Sequence, residues 1–108
     1  MTIRVIAPAA TELPAVEGAE VVRYKTAAEA VSALTGTSHA VLVSDALPAE
    51  DLSRMAEAIR SGGVTVVEVH SERWDGETHS PLTAACRGVI GGFGTGAVRY
   101  AVELLNGE

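Results

Sequence analysis

The chain has 108 residues, 47% of them hydrophobic, and its eight basic and fourteen acidic residues leave a net charge of -6 and a pI near 5.0. That length suffices for one domain with its own core and is too short for two, and the negative field repels phosphate backbones and anionic lipid, so neither nucleic acid nor a membrane is an expected partner. No run approaches the roughly 20 apolar residues of a membrane span, no leader-like pattern opens the chain, and the single cysteine, Cys86, forms no internal disulfide, so a reducing cytoplasm is the expected location.

Taken in chain order, five short apolar, β-branched runs read as strands: Ile3 to Ala7, Glu20 to Tyr24, Ala40 to Ser44, Val64 to His70 and Gly88 to Ile90. The first connection, "PAATELPAVEGA", carries prolines at 8 and 14 and is barely long enough for a crossover, so no full helix is expected there. "TAAEAVSAL" opens with a capping box, Thr26 and Glu29, and sets Ala27, Ala30, Val31 and Leu34 on one helical face, with Gly36 as a stop. "PAEDLSRMAEAIRSGG" puts Pro48 at a first helical position and Leu52, Met55, Ala56 and Ile59 on one stripe. A last helix carries Val98, Ala101, Val102 and Leu105. "AVLVS" and "VTVVEV" lack polar alternation, as strands buried on both faces do. The alternation of strands and helices predicts one α/β domain over residues 1–108, a three-layer flavodoxin-like sandwich around a five-stranded parallel sheet, with the first crossover shortened.

Two stretches carry candidate chemistry. "GFGTGA" matches G-x-G-x-x-G/A at Gly92, Gly94 and Ala97, but a dinucleotide fold places that turn after its first strand and needs an acidic residue about 20 positions further on. Only eleven residues follow Ala97, so the glycines read as a tight strand-to-helix turn, with Thr95 as a candidate cap. The second stretch is "VEVHSERWDGETHS". His70 closes a buried strand, where open α/β sheets place ligands, and Glu68 points to the same face, so the carboxylate can orient the imidazole for acid/base work. A Glu/His pair that only ties strand to loop stands beside that reading. Arg73 and Trp74 read either as ligand contacts or as a loop anchor. Ser44 and Asp45 close the third strand on the same sheet edge, fit for a ligand hydroxyl or for a turn before Pro48. Metal ligation by His70, His79 and Cys86 with Asp75 or Glu77 matches no standard spacing, and no G-x-S-x-G elbow accompanies Ser44. No metal and no cofactor are therefore expected.

"VTVVEVH", and then "HSPLTAACRGVIGGFGTGAVRYAVELL", resemble the type II 3-dehydroquinate dehydratases, lyases of the shikimate pathway with a flavodoxin-like fold. That family carries a P-V-V-E-V-H strand, a loop ending R-H-x-S, and G-V-I-x-G-F-G leading into the final helix. Val66 to His70, His79-Ser80 and Gly88 to Gly94 follow the same order, with a shorter loop. The resemblance implies that His70 stands where the family histidine contacts the substrate's ring hydroxyls, that Glu68 is the strand glutamate beside it, and that Ser71 lies near the amides holding the substrate carboxylate. It implies too that Glu57, where the family has an aspartate, reaches the neighbouring subunit's site in a trimer-based homo-oligomer, up to a dodecamer. The chain departs from the pattern where the family has its lid. "APAATELPAVEGAE" lacks the catalytic arginine and tyrosine, Glu50 replaces a histidine, and Glu77 replaces the loop arginine.

The sequence thus points to a shortened, diverged member with His70, Glu68 and Asp45 as catalytic candidates. Ser44, Ser71, Arg73, Trp74, His79 and Ser80 are its substrate-binding candidates, for dehydration or isomerisation of a small polar hydroxy-carbonyl metabolite. The alternative is a non-catalytic oligomeric scaffold, or a small-molecule-binding protein, with a vestigial pocket.

Overall fold

A computed structural model of the chain describes residues 3–13, 16, 18–44, 49–70, 86, 88–91 and 96–107. Its elements are β1 (Ile3–Pro8), β2 (Ala19–Tyr24), α1 (Ala27–Ala33), β3 (His39–Val43), α2 (Leu52–Gly62), β4 (Thr65–His70), β5 (Gly88–Gly91) and α3 (Ala97–Asn106). The strands form one sheet in the order β2-β1-β3-β4-β5, and every neighbouring pair is parallel. The protein is therefore an α/β fold whose sheet is covered by helices on both faces.

Side-chain alternation along the strands divides the core into two layers. On one face Ile6, Leu42 and Val66 meet Ala30 and Ala33 of α1 and Met55 and Ile59 of α2. On the other, Val5, Val41, Val43, Val67 and Val69 meet Val98, Ala101, Val102 and Leu105 of α3. Residues Ala40 to Val43 are all fully buried, which is why β3 shows no polar alternation.

The helix ends follow from their residues. Thr26 Oγ1 accepts from the Glu29 amide at 3.2 Å, and Glu29 Oε1 accepts from the Thr26 amide at 3.1 Å, so the capping box starts α1. The acidic stretch before α2 forms a 3-10 turn, Ala49–Asp51, and the α-helix proper begins at Leu52, the first residue of its apolar stripe. It ends at Gly63, whose φ of 63° is the left-handed conformation glycine adopts without a side-chain clash. The cap position of α3 falls on Gly96 with no side-chain bond, while Thr95 lies outside the described residues.

No described residue between β1 and β2 is helical. The chain turns at once instead: the Ala9 amide donates to the Tyr24 carbonyl at 2.9 Å, and the Arg23 guanidinium donates to the carbonyls of Pro8 and Thr11. Leu13 and Val16 from this short connection pack against the α3-side core. Arg4 ties the opposite end of the sheet, donating to Glu20 and to the carbonyls of Ala33 and Thr35, each at 2.9 Å.

Candidate functional site at the ends of the third and fourth strands

The pairing of β1 with β3 ends at Ile6 and Leu42, whereas β1 stays paired with β2 as far as Pro8 and Tyr24, and β3 with β4 as far as Val43 and Val69. The two central strands part toward their C-terminal ends. This is also where the strand order reverses, since the chain runs from β1 to one side for β2 and returns to the other side for β3. Crevices at such switch points are where open α/β sheets bind ligands.

Three buried polar side chains gather here. Glu68 lies opposite Leu42 in the register and is 1% exposed, a carboxylate placed beside the apolar side chains of Leu42 and Val66. Ser44, the residue after β3, is also buried, and its hydroxyl donates to Glu68 Oε2 at 2.6 Å. That length marks a charge-assisted bond. The Ser44 amide donates to the Val69 carbonyl at 3.2 Å, extending the ladder by one step and fixing where the hydroxyl starts from. Tyr24, at the end of the edge strand β2, is 2% exposed and passes β1 on the α1/α2 side, so that its hydroxyl donates to the Val43 carbonyl at 2.7 Å. It links β2 to β3 where β1 no longer pairs with β3.

Cys86 packs against the same layer. Burial, and then the nearby charge of Glu68, push its thiol up to about 12 from an ordinary 9.0. The sulfur is held as the neutral thiol, the reverse of what a nucleophilic cysteine needs.

The structure thus brings Ser44 and Glu68 together, as their places on one sheet edge imply. His70 is the last residue of β4 and pairs with Gly91 of β5. Asp45, Ser71, Arg73, Trp74, His79 and Ser80 lie outside the described residues, as do Glu77 and residues 92–95 of the glycine turn. Glu57 is exposed on α2, and Glu50 is exposed in the 3-10 turn before it. Two members of the cluster were not legible as site residues. Tyr24 stands in sequence at the end of the second strand, outside the lid position of the family's tyrosine base, and only the register carries its hydroxyl to Val43. Cys86 reads as a remote metal candidate, and only the fold sets it beside Glu68.

Among the described residues, no three His, Cys, Asp or Glu side chains come together to hold a metal ion. No described helix is long and apolar enough to cross a membrane. A groove of about 460 Å³, lined by Val31, Leu34, Thr37, Ala58, Ser61 and Gly62 among others, opens between the C-terminal ends of α1 and α2, at the end of the sheet away from Ser44 and Glu68. Compared with protein-family models and with curated proteins, the chain gives no match.

Chemically, the Ser44 hydroxyl donates its proton to Glu68, so toward a ligand hydroxyl its oxygen can only accept. Glu68 brings negative charge into an apolar layer, where it strengthens any donor aimed at it.

Proposed function

We propose that this chain is a diverged relative of the type II dehydroquinases with a flavodoxin-like fold, acting as a lyase-like enzyme on a small polar hydroxy-carbonyl metabolite. The observation that carries the proposal is the 1% exposed Glu68 carboxylate, bonded to Ser44 at the strand ends beside the switch point. Burying a carboxylate in an apolar layer costs stability that a hydrophobic residue would not, and such costs concentrate at sites of function. The strand order β2-β1-β3-β4-β5 supports the fold assignment, being the order of flavodoxin-like sheets.

In this reading His70 is the acid/base. It removes a proton from the carbon beside the substrate carbonyl and returns one to the departing hydroxyl, which leaves as water, so that a carbon–carbon double bond replaces the C–H and C–O bonds. Glu68 positions it, and Ser44 or Asp45 accepts from a substrate hydroxyl. Ser71, Arg73, Trp74, His79 and Ser80 are its substrate-binding candidates. The assembly is a trimer-based homo-oligomer in the cytoplasm, with Glu57 reaching a neighbouring copy's site and no cofactor required.

One observation favours a second reading. The Ser44 hydroxyl donates to Glu68 at 2.6 Å within the fold, and a carboxylate held by the protein's own side chain suits a scaffold whose pocket is vestigial. Turnover separates the two. The protein would be mixed with 3-dehydroquinate and with a panel of small β-hydroxy carbonyl compounds, and the conjugated enone followed by ultraviolet absorbance. The expected result is turnover lowered by about 10²-fold or more in His70→Ala. Turnover untouched by His70→Ala removes the acid/base role, and no turnover with any compound leaves the scaffold.

A further inference from the structure

The outer side of α3 plays no part in that site. Tyr100 is 56% exposed and Leu104 45% exposed, one turn apart on the same face of the helix. Gly96 and Gly107, which close the helix at its two ends, continue the stripe at helical spacing and leave it without bulk on either side. Along one flank stand Arg99 and Glu103, both exposed and also one turn apart. They are spaced to pair with each other, in the less favourable basic-first order, yet neither is in an ion pair among the described residues.

This pattern is complementary to itself. When two copies of a helix pack antiparallel about a twofold axis, residues on one flank meet the same flank of the partner helix. A pair i, i+4 therefore faces its own reverse. Arg99 of each copy then faces Glu103 of the other, and Tyr100 of each packs on Leu104 of the other. Two identical chains of net charge -6 repel at long range, and the two cross-pairs supply the local attraction such a contact needs.

We infer that the Tyr100/Leu104 face of α3 is a docking surface for a second copy of this chain, paired antiparallel through reciprocal Arg99–Glu103 contacts. The ten-residue helix is only about 15 Å long, so the contact is smaller than the roughly 800 Å² per partner of a stable interface. Such a contact belongs to the weak, transient class, so association is sought from about 10 μM to about 1 mM protein. The contact is independent of the trimer-based assembly proposed above and of any catalytic activity.

Sedimentation velocity of the full chain across that range, at low and at moderate salt, tests it. Arg99→Glu sets two acids against each other twice in the pair, and Glu103→Arg does the same with bases. Each variant alone is expected to associate at least roughly ten-fold more weakly than the wild type. Mixed one to one, the two variants restore both cross-pairs, so the mixture is expected to recover wild-type association. Both substitutions are on an exposed helix face, and circular dichroism confirms that each variant is folded. A wild type that stays monomeric through 1 mM overturns the inference. So do single variants that associate like the wild type, which would place self-association on another surface, and a mixture no more associated than its components.

Discussion

Removing the Ser44–Glu68 bond one side at a time, and then both sides together, asks whether the pair is kept for stability. The hydroxyl-to-carboxylate bond of 2.6 Å is buried on both sides, and a hydrogen bond to a charged group contributes about 1.5–3 kcal/mol. Ser44→Ala takes a donor from a carboxylate that is buried away from bulk water, so a loss of about 2 kcal/mol is expected. Glu68→Leu removes the acceptor of the serine hydroxyl but adds an apolar side chain opposite Leu42, beside Val66, and about 1 kcal/mol is expected. The double variant loses the bond only once, so it is expected to be more stable than the two single losses added together, by about the 1.5–3 kcal/mol of the bond itself. Urea unfolding reads this directly. With a slope of about 1–1.5 kcal/mol per molar for a chain of this size, Ser44→Ala lowers the midpoint by about 1.5 M. A coupling under about 0.5 kcal/mol would refute the claim that the bond matters. A double variant far less stable than either single would show that the fold itself depends on the carboxylate, and would remove the main support for an active site.

Further expectations follow from single groups. The thiolate fraction of Cys86 at pH 8 should be about a thousand-fold below that of a free cysteine, given its rise from 9.0 to about 12. Alkylation by iodoacetamide should be slow to match in the folded chain and fast in urea, and an ordinary rate when folded would contradict the burial. Because folding raises this thiol's affinity for its proton, the stability it contributes is full below about pH 9 and declines as pH rises toward 12, and Glu68→Gln should bring the thiol down. Tyr24→Phe keeps the ring and deletes the 2.7 Å bond to the Val43 carbonyl, so a loss of about 1 kcal/mol in thermal or urea unfolding is expected. Thr26→Ala removes the side-chain half of the capping box and should cost about 1 kcal/mol, with a loss of amide-exchange protection confined to the first turn of α1.

Local chemistry was enough to place most elements. β-Branched runs marked the strands to within a residue or so of their ends. The Thr26/Glu29 capping box and the apolar stripes of α2 and α3 marked the helices, because a 3.6-residue period and a cap are properties of neighbouring residues. That no described residue between β1 and β2 is helical was legible too, since the connection is short and carries two prolines. Half of the candidate site was legible for the same kind of reason. Ser44 ends one strand and Glu68 is near the end of another, and parallel strands put such residues on one sheet edge.

What the sequence could not state is how far each pair of strands stays together. That β1 leaves β3 after Ile6, while β3 holds β4 through Val69, depends on the register of three strands distant in the chain. So does the reach of Tyr24 across β1 to Val43, and the meeting of Cys86 with Glu68. Periodicity and capping act over one turn or one strand and are written in consecutive residues. Register is settled when whole faces are buried against one another, and that is a property of the packed sheet.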